Sequence, residues 1–347
     1  MSGGVDSSVA AALLKEQGYD VVGMMLRLWS EENCDTNRCC TPESIEDARS
    51  IADFLDIPFY VLDYQTPFKN TVVDYFTTSY SQGVTPNPCL VCNKKVRFGM
   101  LLEEAKKLGA NYMATGHYVR TKEVDGKIEL YKGLDPSKDQ SYVLYQLDQD
   151  QLSHMMFPLG EFNKTYVREL AEKFELSVAK RPDSQDLCFI GDDGYRGFLE
   201  RHAPESLKPG PIRNQQGKLL GNHQGLPGYT IGQRRGLGIS TKEPHFVLNL
   251  DSKTNTLVVG TKDERGKEVF RTKETRYISG EELQTPLPIL VKIRYTTQPV
   301  AATLYPLPDG LAEIRLDKPL GDITPGQGAV FYLDDQVIGG GIIIKEQ

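Results

Sequence analysis

Apolar positions along this chain change their spacing twice, and the changes divide it into three parts. In the first part, helical spacing alternates with short apolar runs, the pattern of a doubly wound α/β domain. Val9, Ala12 and Leu13 followed by Gly18 predict a helix, and 20–28 reads as a buried strand. Thr41 is placed to cap a second helix with Pro42 in its first turn and Ile45, Ala48, Ile51, Ala52 and Leu55 on its apolar face. A strand at 59–62, a helix at 96–108 stopped by Gly109, and a strand at 112–115 follow. Asp125-Gly126 between alternating segments predicts a hairpin, and a capped helix at 163–174 closes the region.

From about residue 207 the texture becomes short strands punctuated by Pro and Gly, beginning at Lys208-Pro209-Gly210-Pro211. Residues 225–236 are too rich in glycine for a helix. Beyond about 270, strands at 289–295, 300–305, 312–316 and 329–333 predict a small antiparallel barrel. The expected organisation is therefore a parallel α/β domain at 1–198, a β-rich central domain at 199–269 and a C-terminal β-barrel at 270–347.

Length allows this, since 347 residues can bury several cores. No run of 18 apolar residues and no signal-peptide pattern is present, so the expectation is a cytoplasmic protein with no membrane partner. Six cysteines, crowded at 34, 39, 40, 89 and 92, suit thiol chemistry or metal ligation better than a secreted disulfide framework. The formal charge of −7 excludes indiscriminate nucleic-acid binding while leaving room for local basic patches such as Lys94-Lys95-Val96-Arg97 and Arg234-Arg235.

The densest chemical signal is Ser2-Gly3-Gly4-Val5-Asp6-Ser7-Ser8, running directly into the first helix. Glycines that allow close backbone approach, hydroxyls and helix N-terminal amides make an anion cradle. It is not a Walker A loop, because no lysine follows. The segment resembles the phosphate loop of the ATP pyrophosphatase superfamily, whose members split ATP between the α and β phosphates to make an adenylate. Such a loop ordinarily follows a central strand, yet only Met1 precedes Ser2. A gap or unpaired edge is expected where that first strand belongs, with weakened nucleotide binding.

The second signal is sulfur. Pro86-Asn87-Pro88-Cys89-Leu90-Val91-Cys92-Asn93-Lys94 leads into a basic helix start, where dipole and cations are expected to favour thiolate. Asp183-Ser184-Gln185-Asp186-Leu187-Cys188-Phe189-Ile190 places another cysteine in a polar loop. With Gly116-His117-Tyr118, Lys138-Asp139-Gln140-Ser141-Tyr142 and the stretch from Gly228 to Gly238, these motifs resemble, over nearly the whole chain and in order, the tRNA-specific 2-thiouridylases.

That resemblance implies an adenine nucleotide alpha hydrolase-like fold and an enzyme that uses ATP and Mg2+ to adenylate O2 of the wobble uridine 34 of Glu, Gln and Lys type tRNAs. Sulfur then replaces that oxygen. It implies ATP binding by Ser2, Gly3, Gly4, Val5, Asp6, Ser7, Ser8, Leu26 and Gly116. It implies tRNA contacts at Asn87, Pro88, Cys89, His117, Lys138, Asp139, Gln140, Arg294, Tyr295 and Gln327. Cys188 would carry a persulfide from a cysteine desulfurase or relay protein, with Cys92 as partner thiol. Many members carry Asp where this chain has Cys89, and the extra thiol opens a second reading in which Cys89, Cys92 and Cys188 ligate a 4Fe-4S cluster. Two further functions stay open: another adenylating synthetase of the superfamily, and a non-enzymatic RNA-binding protein.

Overall fold

The computed structural model describes residues 1–31, 41–182, 187–191 and 193–345. Cys34, Cys39 and Cys40 lie outside the described residues, as do the first four positions of the Asp183 to Ile190 motif. The N-terminal region begins with α1 (Val5–Glu16), β1 (Gly23–Arg27), α2 (Pro42–Phe54) and β2 (Phe59–Asp63). The Thr41 hydroxyl caps α2 by accepting from the Ser44 N–H at 3.2 Å. A helix the sequence pattern did not reveal follows, built from α3 (Gln65–Phe68), a π-helical stretch Lys69–Val73 and α4 (Asp74–Ser81).

The next helix starts earlier than its apolar spacing indicates. It comprises α5 (Pro88–Val91), a π-helical stretch Cys92–Met100 and α6 (Leu101–Lys107). Pro88 at its first turn needs no N–H partner, so the cysteine pair opens a helix rather than ending a loop. Then come β3 (Met113–Ala114), the hairpin β4 (Val119–Val124) and β5 (Lys127–Lys132), α7 (Gln149–Ser153), β6 (Met155–Met156), α8 (Lys164–Lys173) and α9 (Gly194–His202).

β1 pairs in parallel with β2, and β3 in parallel with β6, but the two pairs are separate sheets. A cavity of about 780 Å³ is lined by Val22 and Met24 of the first pair's flank, Tyr112 and Met113 of the second, Ala10 and Leu14 of α1, and Leu101 and Ala105 of α6. Tyr19, Val22, Leu108 and Tyr112, all on this cavity, are 46, 46, 58 and 54 % exposed. β1 is consequently half-buried along one side, where the pattern predicted a fully buried strand. The Met1 amine reaches into the same space and donates to the Met24 carbonyl. Burial, assisted by the Arg97 charge, lowers that amine to about 5.

The central domain is a four-stranded sheet of β7 (Gly210–Asn214), β8 (Leu219–His223), β9 (Phe246–Asp251) and β10 (Thr256–Gly260) over Ile212, Leu226, Val247 and Leu257. The C-terminal region contains β11 (Lys267–Tyr277), β12 (Leu287–Lys292), β13 (Val300–Leu307), β14 (Leu311–Leu320), β15 (Gly328–Leu333) and β16 (Gln336–Ile343). They run β11-β14-β13-β12-β15-β16, and β16 pairs back to β11, closing the barrel.

The hairpin does not belong to the α/β sheet at all. β5 pairs with β16, Gln336 opposite Tyr131 and Val337 opposite Leu130, so the N-terminal region adds two strands to the barrel's sheet. A single apolar core accordingly runs from Leu90, Phe98 and Leu102 through Tyr142 and Tyr145 to Val330 and Tyr332. Among the described residues, no helix is long and apolar enough to cross a membrane.

Candidate functional site

The Ser2 to Ser8 segment forms a tight turn at the N-terminus of α1. Gly3 has φ +67°, and a Cβ there would stand 2.8 Å from the Ser44 carbonyl, so only glycine fits. The Ser2 and Ser7 hydroxyls lie 3.2 Å apart, and the Ser2 N–H donates to Ser7 Oγ at 3.1 Å. Ser8 is fully buried and donates to the Gly4 carbonyl at 2.9 Å, and Val5 sits in the core, so these two shape the turn from behind. The upper end of the cavity carries Ser2, Gly4, Asp6 and Ser7 of the turn together with Leu26 from β1 and Gly116 after β3. A Cβ on Gly116 would lie 2.8–2.9 Å from Asp6 and Ser7 N, so this glycine lets the β3 end press against the loop.

Tyr118 of the Gly-His-Tyr motif, Arg181 of a basic pair and Lys164, which the sequence did not mark, complete this end. The Tyr118 hydroxyl and the Lys164 ammonium both donate to Asp6 Oδ1 at 2.7 Å. Arg181 donates to the Gly3 carbonyl at 2.9 Å and to Asp47 Oδ2 at 2.6 Å, and it lines the cavity with Arg97. The cavity is within the size range of small-ligand sites, with glycines, hydroxyls and a helix N-terminus at one end and guanidinium groups beside them. That donor set suits a polyphosphate.

His117 is buried on the cavity wall, its Nδ1 2.8 Å from Thr115 Oγ1 and its ring 5.5 Å from Phe98. Burial, and then the Arg97 charge, lower it to about 3, so the imidazole is neutral at physiological pH. Lys138, Gln140 and Tyr295 also line the cavity. Gln140 is zipped to Tyr118 by two hydrogen bonds, accepting from its N–H at 3.0 Å and donating to its carbonyl at 3.1 Å. Asp139 is buried and accepts from the Gly133 and Ser141 N–H groups and the Ser141 hydroxyl, which fixes the turn that presents its two neighbours.

Arg294 and Gln327 are struts between regions. Arg294 donates to the Ile231 carbonyl at 2.6 Å and to the Thr324 hydroxyl, joining barrel and central domain. Gln327 donates to the Thr85 and Pro86 carbonyls at 2.9 and 3.1 Å, holding the Asn87-Pro88-Cys89 turn against the barrel. The Asn87 side chain hydrogen-bonds to Tyr142, whose hydroxyl donates to the Gly328 carbonyl at 3.0 Å.

The cysteines correct two expectations. Cys89 is exposed at the surface, yet desolvation by the surrounding protein atoms and then the adjoining Cys92 sulfur push its thiol up to about 11 despite Arg97. Desolvation thus outweighs the helix-terminal and basic environment that predicted an acidic thiol. Cys92, one turn later, is buried in an apolar cluster with Phe68, Phe76 and Val96, and half-buried Cys188 packs at the margin of that same cluster. Among the described residues no three His, Cys, Asp or Glu side chains converge where a metal ion would sit. The described residues therefore give no support to a three-thiolate cluster site. What the fold does bring together is Cys92 and Cys188.

The comparisons agree with this architecture. A family described as tRNA methyl transferase HUP domain matches residues 1–192, one described as tRNA methyl transferase PRC-barrel domain matches 196–261, and one described as Aminomethyltransferase beta-barrel domain matches 267–343. The tRNA-specific 2-thiouridylase MnmA of Moorella thermoacetica is 46% identical over 99% of this chain and 98% of its own length. The tRNA-specific 2-thiouridylase MnmA 2 of a Thermoanaerobacter species is 47% identical over 100% and 97%, and the MnmA of Clostridium perfringens 45% over 99% and 96%. With a phosphate loop facing a cavity, two thiols on one apolar cluster and full-length identity of this order, the chain belongs to the tRNA-specific 2-thiouridylase family.

Proposed function

We propose that this protein is an ATP-dependent tRNA uridine 2-sulfurtransferase working in the cytoplasm, and that adenylation at its cavity is coupled to sulfur delivery from the neighbouring cluster that holds Cys92 and Cys188. The observation that carries the reading is the pairing of a polyphosphate cradle with a cysteine pair in one α/β region. The family descriptions speak of methyl transfer, but a phosphate loop and paired thiols are what ATP-driven thiolation requires. ATP lies with its phosphates on Ser2, Gly4 and Ser7 and its adenine near the Leu26 backbone. Asp6 is the carboxylate that would share a Mg2+ with phosphate oxygens, since this ion commonly uses only one or two protein carboxylates.

The chemistry proceeds in two displacements. The uridine O2 attacks the α-phosphorus and pyrophosphate leaves, turning a poor leaving oxygen into AMP. The terminal sulfur of a persulfide on Cys188 then attacks C2, and AMP departs with both bonding electrons. The Cys92 thiolate attacks Cys188 Sγ, the S–S bond to the base breaks, and its electrons form the C2=S bond of the product. A Cys92–Cys188 disulfide remains and is reduced by an external thiol before the next turnover. The persulfide comes from a cysteine desulfurase or a relay protein, and the substrates are the Glu, Gln and Lys type tRNAs. A loop uridine is splayed into the cavity at lower cost than a paired base.

Incubation with unmodified tRNA, ATP, Mg2+ and a persulfide donor is expected to give 2-thiouridine by mass spectrometry and AMP in equal amount. Asp6→Ala is expected to abolish both together with pyrophosphate release, and Cys188→Ser to abolish thiouridine and AMP while pyrophosphate release from the adenylation step persists. AMP formation without any sulfur incorporation by the unaltered protein would indicate a different adenylating enzyme.

A further inference from the structure

The phosphate loop has no lysine of its own, and the fold supplies one from far along the chain. Lys164 opens α8 directly after its N-cap Asn163, whose side chain accepts from the Tyr166 N–H at 2.8 Å. Its own N–H donates to Asp135 Oδ2 at 3.0 Å, which fixes the start of the helix. From there the ammonium crosses to Asp6 Oδ1, 158 positions away, with its side chain only 11 % exposed. It also stands 5.9 Å from the centroid of the Tyr118 ring, whose hydroxyl donates to the same Asp6 oxygen.

Two donors on one carboxylate oxygen do more than neutralise a charge. A carboxylate held by a single donor turns freely about its last torsion, which is broad and two-fold. Asp6 is gripped at Oδ1 by an ammonium and a phenol anchored on different elements, so the direction of Oδ2 is set. Lys164 does not itself line the cavity, whereas Asp6 and Tyr118 do.

We propose that Lys164 is a positioning residue for the nucleotide reaction, holding Asp6 so that Oδ2 meets the divalent cation that accompanies the polyphosphate. The inference rests on the ATP reading above. A lysine present only for stability changes the melting temperature and leaves the cation requirement alone. A positioning lysine changes the cation requirement.

The test uses the full chain without tRNA, measuring the ATP-induced rise in melting temperature across a MgCl2 titration. Lys164→Gln is expected to raise the Mg2+ concentration for half-maximal response by about tenfold or more, as loss of a residue orienting a metal ligand does. Lys164→Arg is expected to restore most of the response, and Tyr118→Phe to shift the midpoint by roughly threefold, one of two donors being kept. A folded Lys164→Gln with the unaltered midpoint overturns the proposal. If that variant does not fold, Tyr118→Phe decides, and an unchanged midpoint there overturns it equally. A protein indifferent to ATP at every Mg2+ concentration removes the ATP reading and this inference together. A normal response with unshifted variants removes this inference alone.

Discussion

The strands of the C-terminal barrel and the two parallel strand pairs of the N-terminal region end in opposite conditions. In the barrel, β16 returns to β11, so each strand has neighbours on both sides and Phe331, Val330 and Ala329 are fully buried. In the N-terminal region two parallel pairs face a cavity with unpaired inner edges, and large apolar side chains meet water. Closure removes edges and concentrates burial, which serves stability. The phosphate loop stands at the head of this seam, where Ser2, Gly4, Asp6 and Ser7 line the cavity.

The contrast sets the size of the expected effects. Phe331→Ala should cost about 3–5 kcal/mol, the range for deleting a buried aromatic ring. Because the barrel sheet extends through β5 and β4, calorimetry should show one cooperative transition moved down as a whole. A barrel that melts alone while the ATP response survives would break the picture of a shared core. Next in size, an apolar, β-branched segment of about six residues placed ahead of Met1 is expected to occupy the seam. It should raise the melting temperature by about 5 °C and strengthen the ATP response, a few kcal/mol being worth this much in a chain of this size. No rise in either would show that the seam is not shaped for a strand.

The smallest expected effect concerns His117, which is neutral because burial lowers it to about 3. As pH falls from about 6.5 toward 3, the unfolded chain takes up this proton first. The stability due to the neutral imidazole is full above 6.5 and declines below it, by about 1–2 kcal/mol at pH 5. Melting curves at pH 7 and pH 5 should differ less for His117→Gln than for the unaltered protein. An equal drop in both would mean that the imidazole is not held neutral.

Legibility in the sequence followed distance along the chain. The phosphate loop was readable because Ser2 to Ser8 are consecutive and their geometry is local. Lys164 was not, since the fold recruits it from 158 positions away, and the motif holding Tyr118 and the basic pair holding Arg181 did not report which loop atoms they meet. The Asp125-Gly126 turn announced a hairpin, with both residues at positive φ, but not the sheet it joins, because pairing with β16 is a tertiary choice. The helix at 65–81 was hidden by Pro67 and by Thr71-Val72-Val73, residues of low helix propensity that packing overrides. Asn87-Pro88 is a helix-start signal, with Pro88 in the first turn, that apolar spacing from Val96 onward does not contain. The acidity expected at Cys89 failed for a related reason: sequence shows neighbouring charges but not the desolvation that opposes them.

The hairpin that crosses from one region to the other has a mechanical consequence. Backbone hydrogen bonds between β5 and β16 weld the α/β region to the barrel in shear, and Gln327 adds a second weld at the Asn87 turn. Joints of this kind resist sliding of the phosphate-loop region against the barrel, so a force applied to one is carried into the other through the backbone.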